Sequence, residues 1–288
     1  MQPLEQFEAY RPLMFSIAYR MLGSAMEAED MVQEAYLRYQ SVDPETIQSP
    51  KAYLSAVITR LCLNQLELAR TKREVYVGEW LPEPISTDND TLLSTGNPSS
   101  LYDSISMGFM VLLESLTPLE RAVFLLRQVF DYGYDEIASI LGKEEAACRQ
   151  LFSRAQKHVD DHRPRFKPSP EAHQHLLGQF LQTVNAGDMD GFMALLAEDV
   201  TMHTDGGGKA RGAATRLLHG PEATGKFILN SLRLQPNPFT AEVESVNGEA
   251  AVVLRSNGST VVVIFLETTA DKIQTIRIVG NPDKLQHV

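Results

Sequence analysis

Residues 116–159 have the sequence LTPLERAVFLLRQVFDYGYDEIASILGKEEAACRQLFSRAQKHV, which is the most informative part of the first half of the chain about its fold. Thr117, Pro118 and Glu120 are a helix-start signal, because the threonine and glutamate side chains accept free amides and a proline at the first position has no amide to satisfy. A short helix at 134–141, a turn at Gly142 and a second helix at 144–159 are predicted to follow. Apolar positions of both helices, Ala147 among them, would pack across the turn. The pattern predicts a helix-turn-helix.

The second of these helices carries a polar, basic outward face. Arginine pairs bidentately with guanine and glutamine with adenine, whereas lysine and serine suit phosphates, so this face is a candidate for reading a DNA major groove. An αα-hairpin with a solvated charged face fits the spacing equally well. The candidate residues are Arg149, Gln150, Ser153, Arg154 and Lys157.

The length and composition of the chain limit the number of domains and the class of protein it can belong to. With 288 residues, 43% hydrophobic and 22% charged, two or three globular domains are expected. The longest apolar run, 261–266, is too short for a membrane helix, and the N-terminus lacks the basic region of a secretory signal. Cys62 and Cys148 form no CxxC pair. We therefore expect a cytoplasmic protein without membrane, metal or cofactor.

The net charge of −11 argues against strong DNA binding by the chain alone, since an acidic body repels phosphates. Residues 51–73 are nevertheless locally basic, as is the helix around Arg154. Such patches on an acidic body would bind DNA well once a larger partner delivers them to it.

The chain divides into a helical half and an α+β half. Helices are predicted at 4–21, 26–40 and 51–72, then a polar linker at about 79–100, then helices at 101–162, with prolines from 164 to 170 marking a boundary. Beyond it, helices at 171–185, 189–197 and 222–232 accompany strands at 200–203, 240–246, 249–256, 260–267 and 272–279. Asn247-Gly248 and Asn257-Gly258 predict tight hairpins, so the second half is an α+β domain with an antiparallel meander.

Over its first 165 or so residues the chain resembles the extracytoplasmic-function (ECF) sigma factors. The segment MEAEDMVQEAYLR, 26–38, looks like the region 2 helix that binds the β′ clamp helices of RNA polymerase, although a solvated acidic face is the common alternative. The residues that would face the polymerase are Glu27, Glu29, Asp30, Gln33 and Glu34.

The segment SPKAYLSAVITRLCLNQLELARTKR, 49–73, resembles the region that recognises the −10 element. The resemblance implies phosphate contacts along this helix and a base stacked on Tyr53, which would serve equally well as a core aromatic. Relatives are more basic just before Arg70, where this chain has Asn64, Glu67 and Leu68. The candidate residues are Lys51, Tyr53, Arg60, Arg70, Lys72 and Arg73. The helix-turn-helix would be region 4, which reads the −35 element and meets the β flap.

A narrower resemblance covers nearly the whole chain. YVGEWLPEP at 76–84, HTDGGGK at 203–209 and NPDKL at 281–285 look like the signature peptides of a sigma subgroup that carries a C-terminal SnoaL-like domain of the NTF2-like fold. The resemblance implies regulation in cis, without a separate anti-sigma protein. It also implies four segments: region 2 at 1–75, a linker at 76–105, region 4 at 106–166 and the SnoaL-like domain at 170–288.

These peptides suit an interdomain latch that sets the separation of regions 2 and 4. Trp80 lies in a proline-bounded peptide with no local helix to bury it, so it is expected to dock on a domain surface. The glycines allow close backbone approach, and GGGK lacks the spacing of a phosphate-binding loop. The latch residues are Trp80, Leu81, Pro82, Glu83, Pro84, Asp205, Gly206, Gly207, Gly208, Lys209, Asn281, Pro282, Asp283, Lys284 and Leu285.

An alternative is an NTF2-like enzyme or small-molecule sensor with an appended DNA-binding module. His203 and Asp205 would lie on one side of a strand, and Asp199 and His219 are further candidates. No second acid, base or oxyanion donor is evident from sequence, so we expect no catalysis. A small ligand inside the cone is the form of this alternative that stays open.

Overall fold

The structure is a computed structural model that describes residues 3–43, 46–73, 76–87, 105–162, 169–210, 212–232, 239–269 and 271–288. The chain forms two units, one of residues 1–74 and 89–163 and one of residues 75–88 and 164–288. Residues 79–87, which their polar composition assigns to a linker, therefore belong to the C-terminal unit. The apolar and proline side chains within the polar stretch explain this difference, because Leu81, Pro82, Pro84 and Ile85 are buried.

The first half of the helical unit is a three-helix bundle. Its helices are α1 (Pro3–Leu22), α2 (Ala25–Gln40) and α3 (Pro50–Arg73), close to the predicted bounds. Gly23 has a φ of 70° and ends α1, and the Ser24 hydroxyl accepts the Glu27 amide to start α2. The three helices pack on one another around buried side chains such as Met14, Ile58 and Cys62. Burial raises the pKa of the Cys62 thiol, which keeps it protonated.

The second half of the helical unit contains the predicted helix-turn-helix. Its elements are α4 (Met107–Glu114), α5 (Pro118–Phe124), a π-helical turn (Leu125–Val129), α6 (Tyr134–Leu141) and α7 (Glu145–His162). Thr117 and Glu120 form the predicted capping box, and Gly142 makes the turn with a φ of 63°. Cys148, and not Ala147 as the pattern predicts, joins Ile137 and Leu126 in the core. The buried stripe of α7 is Cys148, Ala155 and Val159, which places Ala147 at its edge.

The two halves of this unit pack on each other through α1 and α3. The Ser55 and Tyr132 hydroxyls lie 2.6 Å apart, and the buried Arg121 guanidinium donates to the Met21 carbonyl at 2.7 Å. Burial raises the pKa of Tyr132, so its phenol stays protonated. The helix-turn-helix is thus docked on the three-helix bundle.

The C-terminal unit is a six-stranded sheet with three helices. The helices are α8 (Pro170–Ala186), α9 (Met189–Leu195) and α10 (Pro221–Leu232). The strands are β1 (Leu196–Asp205), β2 (Leu218–His219), β3 (Thr240–Val246), β4 (Glu249–Ser256), β5 (Ser259–Thr268) and β6 (Ile273–Val279), in the order β2-β1-β6-β5-β4-β3. Asn247 and Asn257 make the predicted hairpin turns with φ of 54° and 52°.

Two features of the sheet differ from the predicted meander. The helix predicted to reach residue 197 ends at Leu195, and β1 begins directly after it. β1 then pairs in parallel with β6, with Met202 opposite Ile276, while β3 to β6 form the antiparallel meander. Parallel strands such as β1 and β6 are joined by a long connection and not by a tight turn, so no turn sequence indicates that they pair.

Alternate side chains of the strands face the three helices and form the core of this unit. Val252 and Leu254 of β4 and Ile264 of β5 pack against Phe180 of α8 and Ile228 of α10. The opposite side of β1 carries His203 and Asp205, since successive strand residues point to opposite faces. Across the described part of the chain, no helix has the length and hydropathy needed to cross a membrane.

Candidate nucleic-acid interface and regulatory strap

The outward face of α7 is open to solvent. The five residues predicted to meet DNA are all exposed: Arg149, Gln150, Ser153, Arg154 and Lys157. The Arg149 guanidinium carbon lies 4.4 Å from the centroid of the Tyr134 ring, and its Nη2 lies 3.2 Å from Oε2 of Glu145. Arg149 is thereby held beside the first turn of α6, and the remaining four residues extend the polar face along α7.

Two cations of α3 that are predicted to hold the −10 element contact the helix-turn-helix half of the unit in this structure. Arg60 donates from Nε to the Ile140 carbonyl at 2.8 Å and from Nη2 to the Ser139 carbonyl at 3.2 Å. These carbonyls belong to the last turn of α6, where a cation is favoured by the helix dipole. The Lys51 ammonium lies 5.1 Å from the Tyr132 ring centroid.

For the other candidate DNA-binding residues on α3, the structure describes only the side chain of Tyr53. Tyr53 is half-buried, and its ring centroid lies 6.4 Å from that of Tyr39. The side chains of Arg70, Lys72 and Arg73 lie outside the described residues.

The outward face of α2 is mixed rather than purely acidic. Asp30 and Gln33 are exposed, and they share a helical stripe with Met26 and Leu37, which are 48% and 60% exposed. The other predicted docking residues are half-buried: Glu27, Glu29 and Glu34. Glu27 accepts from Gln65 Nε2 at 3.0 Å, and Glu34 pairs with Arg38 at 2.9 Å. Two exposed apolar residues beside acids suit a protein partner better than a solvated helix face.

In the C-terminal unit, residues 76–87 form a strap that is bound chiefly by Asp205. The Asp205 carboxylate is buried and accepts the Tyr76 hydroxyl at 2.6 Å and the Leu81 amide at 2.9 Å. It also accepts the Gly207 amide at 3.1 Å and the Lys284 ammonium at 2.6 Å. Burial and the hydrogen bond to Asp205 raise the pKa of Tyr76, so the phenol stays a donor.

Lys284 joins the C-terminal tail to the same strap. Its ammonium is buried, donates to the Leu81 carbonyl at 2.6 Å and lies 4.0 Å from the Trp80 ring centroid. A buried ammonium held by a carboxylate, a carbonyl and an aromatic face is a charge fully compensated by its surroundings. Trp80 thus docks on a domain surface, as the sequence predicts.

Each glycine of the DGGGK loop fits against a different neighbour. A Cβ on Gly206 would collide with the Ala213 side chain, and one on Gly207 would collide with Asn281 of the tail. A Cβ on Gly208 would lie 3.1 Å from Val77 of the strap. Gly207 and Gly208 also have φ of 57° and 70°, which L-residues rarely adopt. The loop therefore contacts both the tail and the strap at closest approach.

The second half of the strap pairs with the β3–β4 hairpin and the tail. Ile85 exchanges hydrogen bonds with Asn247, and the Thr87 amide donates to the Ser245 carbonyl at 2.9 Å. The Ser86 amide donates to the His287 carbonyl at 2.8 Å, and the buried Glu83 carboxylate lies 2.8 Å from Nδ1 of His287. The strap is thus hydrogen-bonded to the domain at both of its ends.

The structure brings the three signature peptides together. Lys209 of the loop pairs with Asp283 of the tail, and Asn281 Nδ2 donates to the Tyr76 hydroxyl at 2.8 Å. In the tail, Pro282 begins a short 3-10 helix (Pro282–Lys284), and the side chain of Leu285 after it is buried. Tyr76 lies within a peptide the sequence singles out, yet its role depends on a partner 129 residues away. His287 and Asn247 carry no sequence signal for this role, since neither lies in a signature peptide.

Of the four residues considered for the enzyme alternative, two contact the strap and two are exposed to solvent. His203 Nδ1 lies 2.6 Å from Oε1 of Glu79, and both oxygens of Asp205 are engaged. Asp199 and His219 are exposed at the surface. His203 and Asp205 therefore act in this structure as anchors of the strap.

Replacing Gly207 with alanine tests the fit of the loop against the tail. We expect the free energy of unfolding of the C-terminal unit to drop by about 2–4 kcal/mol, because the new Cβ adds a clash with Asn281 to an unfavourable φ. Chemical denaturation followed by Trp80 fluorescence measures it. The control is Gly258→Ala, with a φ of 79° and no described neighbour within 4 Å, which costs only the backbone term. Equal losses for the two variants would refute the packing role.

Three family models match the chain. Sigma-70 region 2 matches residues 6–73, Sigma-70, region 4 matches residues 106–159, and the SnoaL-like domain matches residues 177–279. Together they define a sigma-70-type transcription initiation factor with an additional C-terminal domain.

Comparison with individual proteins shows which type of sigma factor the chain resembles. The ECF RNA polymerase sigma factor SigJ of Mycobacterium tuberculosis is 39% identical over 85% of this chain and 79% of its own length. The probable ECF sigma factor SigI of the same species is 30% identical over 97% and 93%. The crystal structure of M. tuberculosis SigJ superimposes with a TM-score of 0.74 and 33% identity over 99% of this chain and 98% of that one. The chain belongs to the ECF sigma factor family.

Proposed function

We propose that this ECF sigma factor binds core RNA polymerase, directs promoter-specific transcription initiation and is regulated in cis by its SnoaL-like domain. The observation that carries the regulatory part is the strap. Residues 76–87 lie in the chain between regions 2 and 4, and Asp205, Lys284 and the β3–β4 hairpin bind them into the C-terminal unit. A domain that holds this connector controls how far the two regions can separate, and hence their effective concentration on a promoter.

In this proposal the docked helical unit is a closed form. Arg60 and Lys51 contact the helix-turn-helix half while α7 stays exposed. Release of the strap lets the two regions separate, which frees these cations for the −10 element as α7 meets the −35 element. The cis-acting domain would then replace a separate anti-sigma protein.

The outward stripe of α2 is the proposed contact with the β′ clamp helices, and region 4 is the proposed contact with the β flap. Support for the first comes from the exposed Met26, Asp30, Gln33 and Leu37, which combine apolar area with negative charge. Complementary charge orients such an encounter, and the apolar side chains supply the buried area.

A charge reversal on α2 tests the polymerase contact. Asp30→Arg is expected to weaken binding of the full chain to core RNA polymerase by about tenfold or more, because it places a cation where an acid faces a basic partner. Binding is measured by titration of core enzyme at modest salt.

The matched control is Glu198→Arg, the same type of charge reversal at an exposed acid of β1. It should leave the affinity unchanged. Equal weakening by both variants would point to overall charge, and no binding of the unmodified chain would remove the proposed function itself.

A further inference from the structure

The strap is bound to the rest of the C-terminal unit largely through its main chain. Amides and carbonyls between residues 81 and 87 make six hydrogen bonds to the domain, at 2.6–2.9 Å. Each residue of a peptide offers the same carbonyl and, except for proline, the same amide. The partners on the domain, here called the strap groove, therefore recognise the course of an extended chain, as peptide-binding domains do. The strap groove consists of Asp205, Ser245, Asn247, Lys284 and His287.

Three buried side chains of the strap add a sequence preference to this backbone recognition. Leu81 and Ile85 are 1% and 6% exposed. Glu83 between them is 1% exposed, and its Oε1 lies 2.8 Å from Nδ1 of His287. A proline on either side of Glu83 restricts the backbone, which reduces the entropy lost when the segment binds. The groove therefore fits a segment with two branched apolar residues four positions apart around a proline-flanked glutamate.

The strap is not an optimal ligand for this groove. Val77 is 56% exposed. Oε1 of Glu79 lies 2.6 Å from Nδ1 of His203, but its Oε2 is buried without a hydrogen-bond partner among the described residues. A buried polar atom without a partner destabilises the bound state. A segment that keeps the buried pattern and has another residue at the position of Glu79 avoids this cost and can displace the strap.

A segment of a separate protein is the occupant that these observations favour. The strap of a second copy already has a groove in its own chain, so an exchange of straps between copies gains no contact. Such an exchange also gives up the effective concentration of a tethered segment, which is on the order of 1 mM. A segment that has no groove of its own gains every contact of the strap when it binds.

We propose that the strap groove also binds an extended segment of another protein, with two branched apolar residues around a Pro-Glu-Pro sequence, and that this segment displaces the strap. The effect on transcription rests on the proposed cis regulation, because displacement matters there only if the strap controls the two promoter-binding regions. The binding itself does not depend on that function.

The probe is a synthetic peptide of residues 76–87, YVGEWLPEPIST, titrated by calorimetry into two full-length chains. One is the unmodified chain, and the other carries Leu81→Ser/Ile85→Ser, which weakens the strap and leaves the groove unchanged. We expect saturable binding to this strap variant and binding weaker by about tenfold or more to the unmodified chain, since its own strap competes in cis. Failure to saturate the strap variant, or equal affinity for both chains, would overturn the site.

A milder strap variant is used in parallel, in case the first one folds poorly. Trp80→Phe/Leu81→Ala removes the only tryptophan of the chain, so that the peptide supplies all tryptophan emission. Binding is expected to shift this emission to shorter wavelength, because the ring leaves water to lie against Lys284. Unshifted emission at saturating peptide would place the tryptophan outside the groove and overturn the assignment.

Changes in the peptide test the sequence preference without affecting the fold of the chain. A peptide with Leu81→Ser/Ile85→Ser is expected to bind the strap variant about tenfold more weakly or worse, because both positions are buried. The matched control is a peptide with Val77→Ser, at an exposed position, which should change the affinity by no more than about twofold. Equal losses for the two peptides would indicate general apolar adsorption and contradict recognition by the groove.

Two further measurements test the source of the segment and its effect. Light scattering after size-exclusion chromatography is expected to show a monomer, and a dimer that dissociates on addition of the peptide would indicate exchange of straps between copies and exclude a separate partner. Saturating peptide is expected to change promoter-dependent transcription by the unmodified chain. Binding without such a change would support the groove and contradict the proposed regulation, so the two failures are distinguishable.

Discussion

Replacing Asp205 with alanine is expected to lower the free energy of unfolding of the C-terminal unit by about 3–5 kcal/mol and to release the strap, because it leaves a buried ammonium unpaired. The Asp205 carboxylate accepts four hydrogen bonds, from Tyr76, Leu81, Gly207 and Lys284. Lys284 retains the Leu81 carbonyl and the Trp80 ring, neither of which neutralises its charge. Denaturant unfolding followed by Trp80 fluorescence gives the stability.

Proteolysis reports the release of the strap directly. Glu79 of the strap is half-buried and its Oε1 lies 2.6 Å from Nδ1 of His203, so a glutamate-specific protease should cut after it slowly in the unmodified chain and rapidly in Asp205→Ala. Asp199→Ala, at an exposed acid of the same strand, is the matched control and should change stability by no more than about 0.5 kcal/mol.

A double variant separates the buried charge from the lost hydrogen bonds. Asp205→Ala with Lys284→Met removes the unpaired ammonium, so the pair should cost less than the sum of the two single variants. Additive losses would show that the two groups do not act together. Unchanged transcription of matched templates by Asp205→Ala, in spite of a released strap, would refute the proposed regulation and leave the stability argument intact.

The second large effect is expected from the exposed face of α7. Arg149→Ala/Arg154→Ala should abolish promoter-dependent transcription, since each bidentate arginine–guanine contact contributes about 1–3 kcal/mol of discrimination. Both side chains are exposed on one helix, and Arg149 is already supported by Tyr134 and Glu145. Run-off transcription with core RNA polymerase measures the effect, and the affinity for core enzyme should be unchanged.

The matched control is a double variant that removes two positive charges from the C-terminal unit and leaves α7 unchanged. Arg216→Ala/Lys226→Ala takes two exposed cations from the C-terminal unit, and Lys226 pairs with Glu222 four residues away just as Arg149 pairs with Glu145. Its transcription should match that of the unmodified chain. Comparable losses in both double variants would indicate a general charge effect and would contradict the assignment of α7 to the −35 element.

Local sequence patterns predicted most elements of the fold. The capping box at Thr117, the turn at Gly142 and the two Asn-Gly hairpins are short-range signals, and each appears where the residues indicate. The parallel pairing of β1 with β6 was not predictable in this way, because helix α10 and four strands lie between the partners along the described chain, and their pairing depends on burial of a common face.

The candidate surfaces were predictable to different degrees. The outward residues of α7 follow from helical periodicity, and the structure leaves them exposed. The contacts of Arg60 with α6 do not follow from the sequence, because a cation that suits phosphates also suits the carbonyl end of a helix. The DNA and polymerase roles of these residues stay predictions.

Residues a few positions apart specify most of the helices and strands, the unusual peptides and the positions where glycine is needed for a positive φ. The contacts of Tyr76 and Leu81 with Asp205 and Lys284 become visible only in the folded chain. These contacts require a buried carboxylate to find donors from two distant segments, the strap and the tail, and low solvent access makes the arrangement specific. Whether a strap of mixed polar and apolar residues is free or bound is settled by the domain that surrounds it.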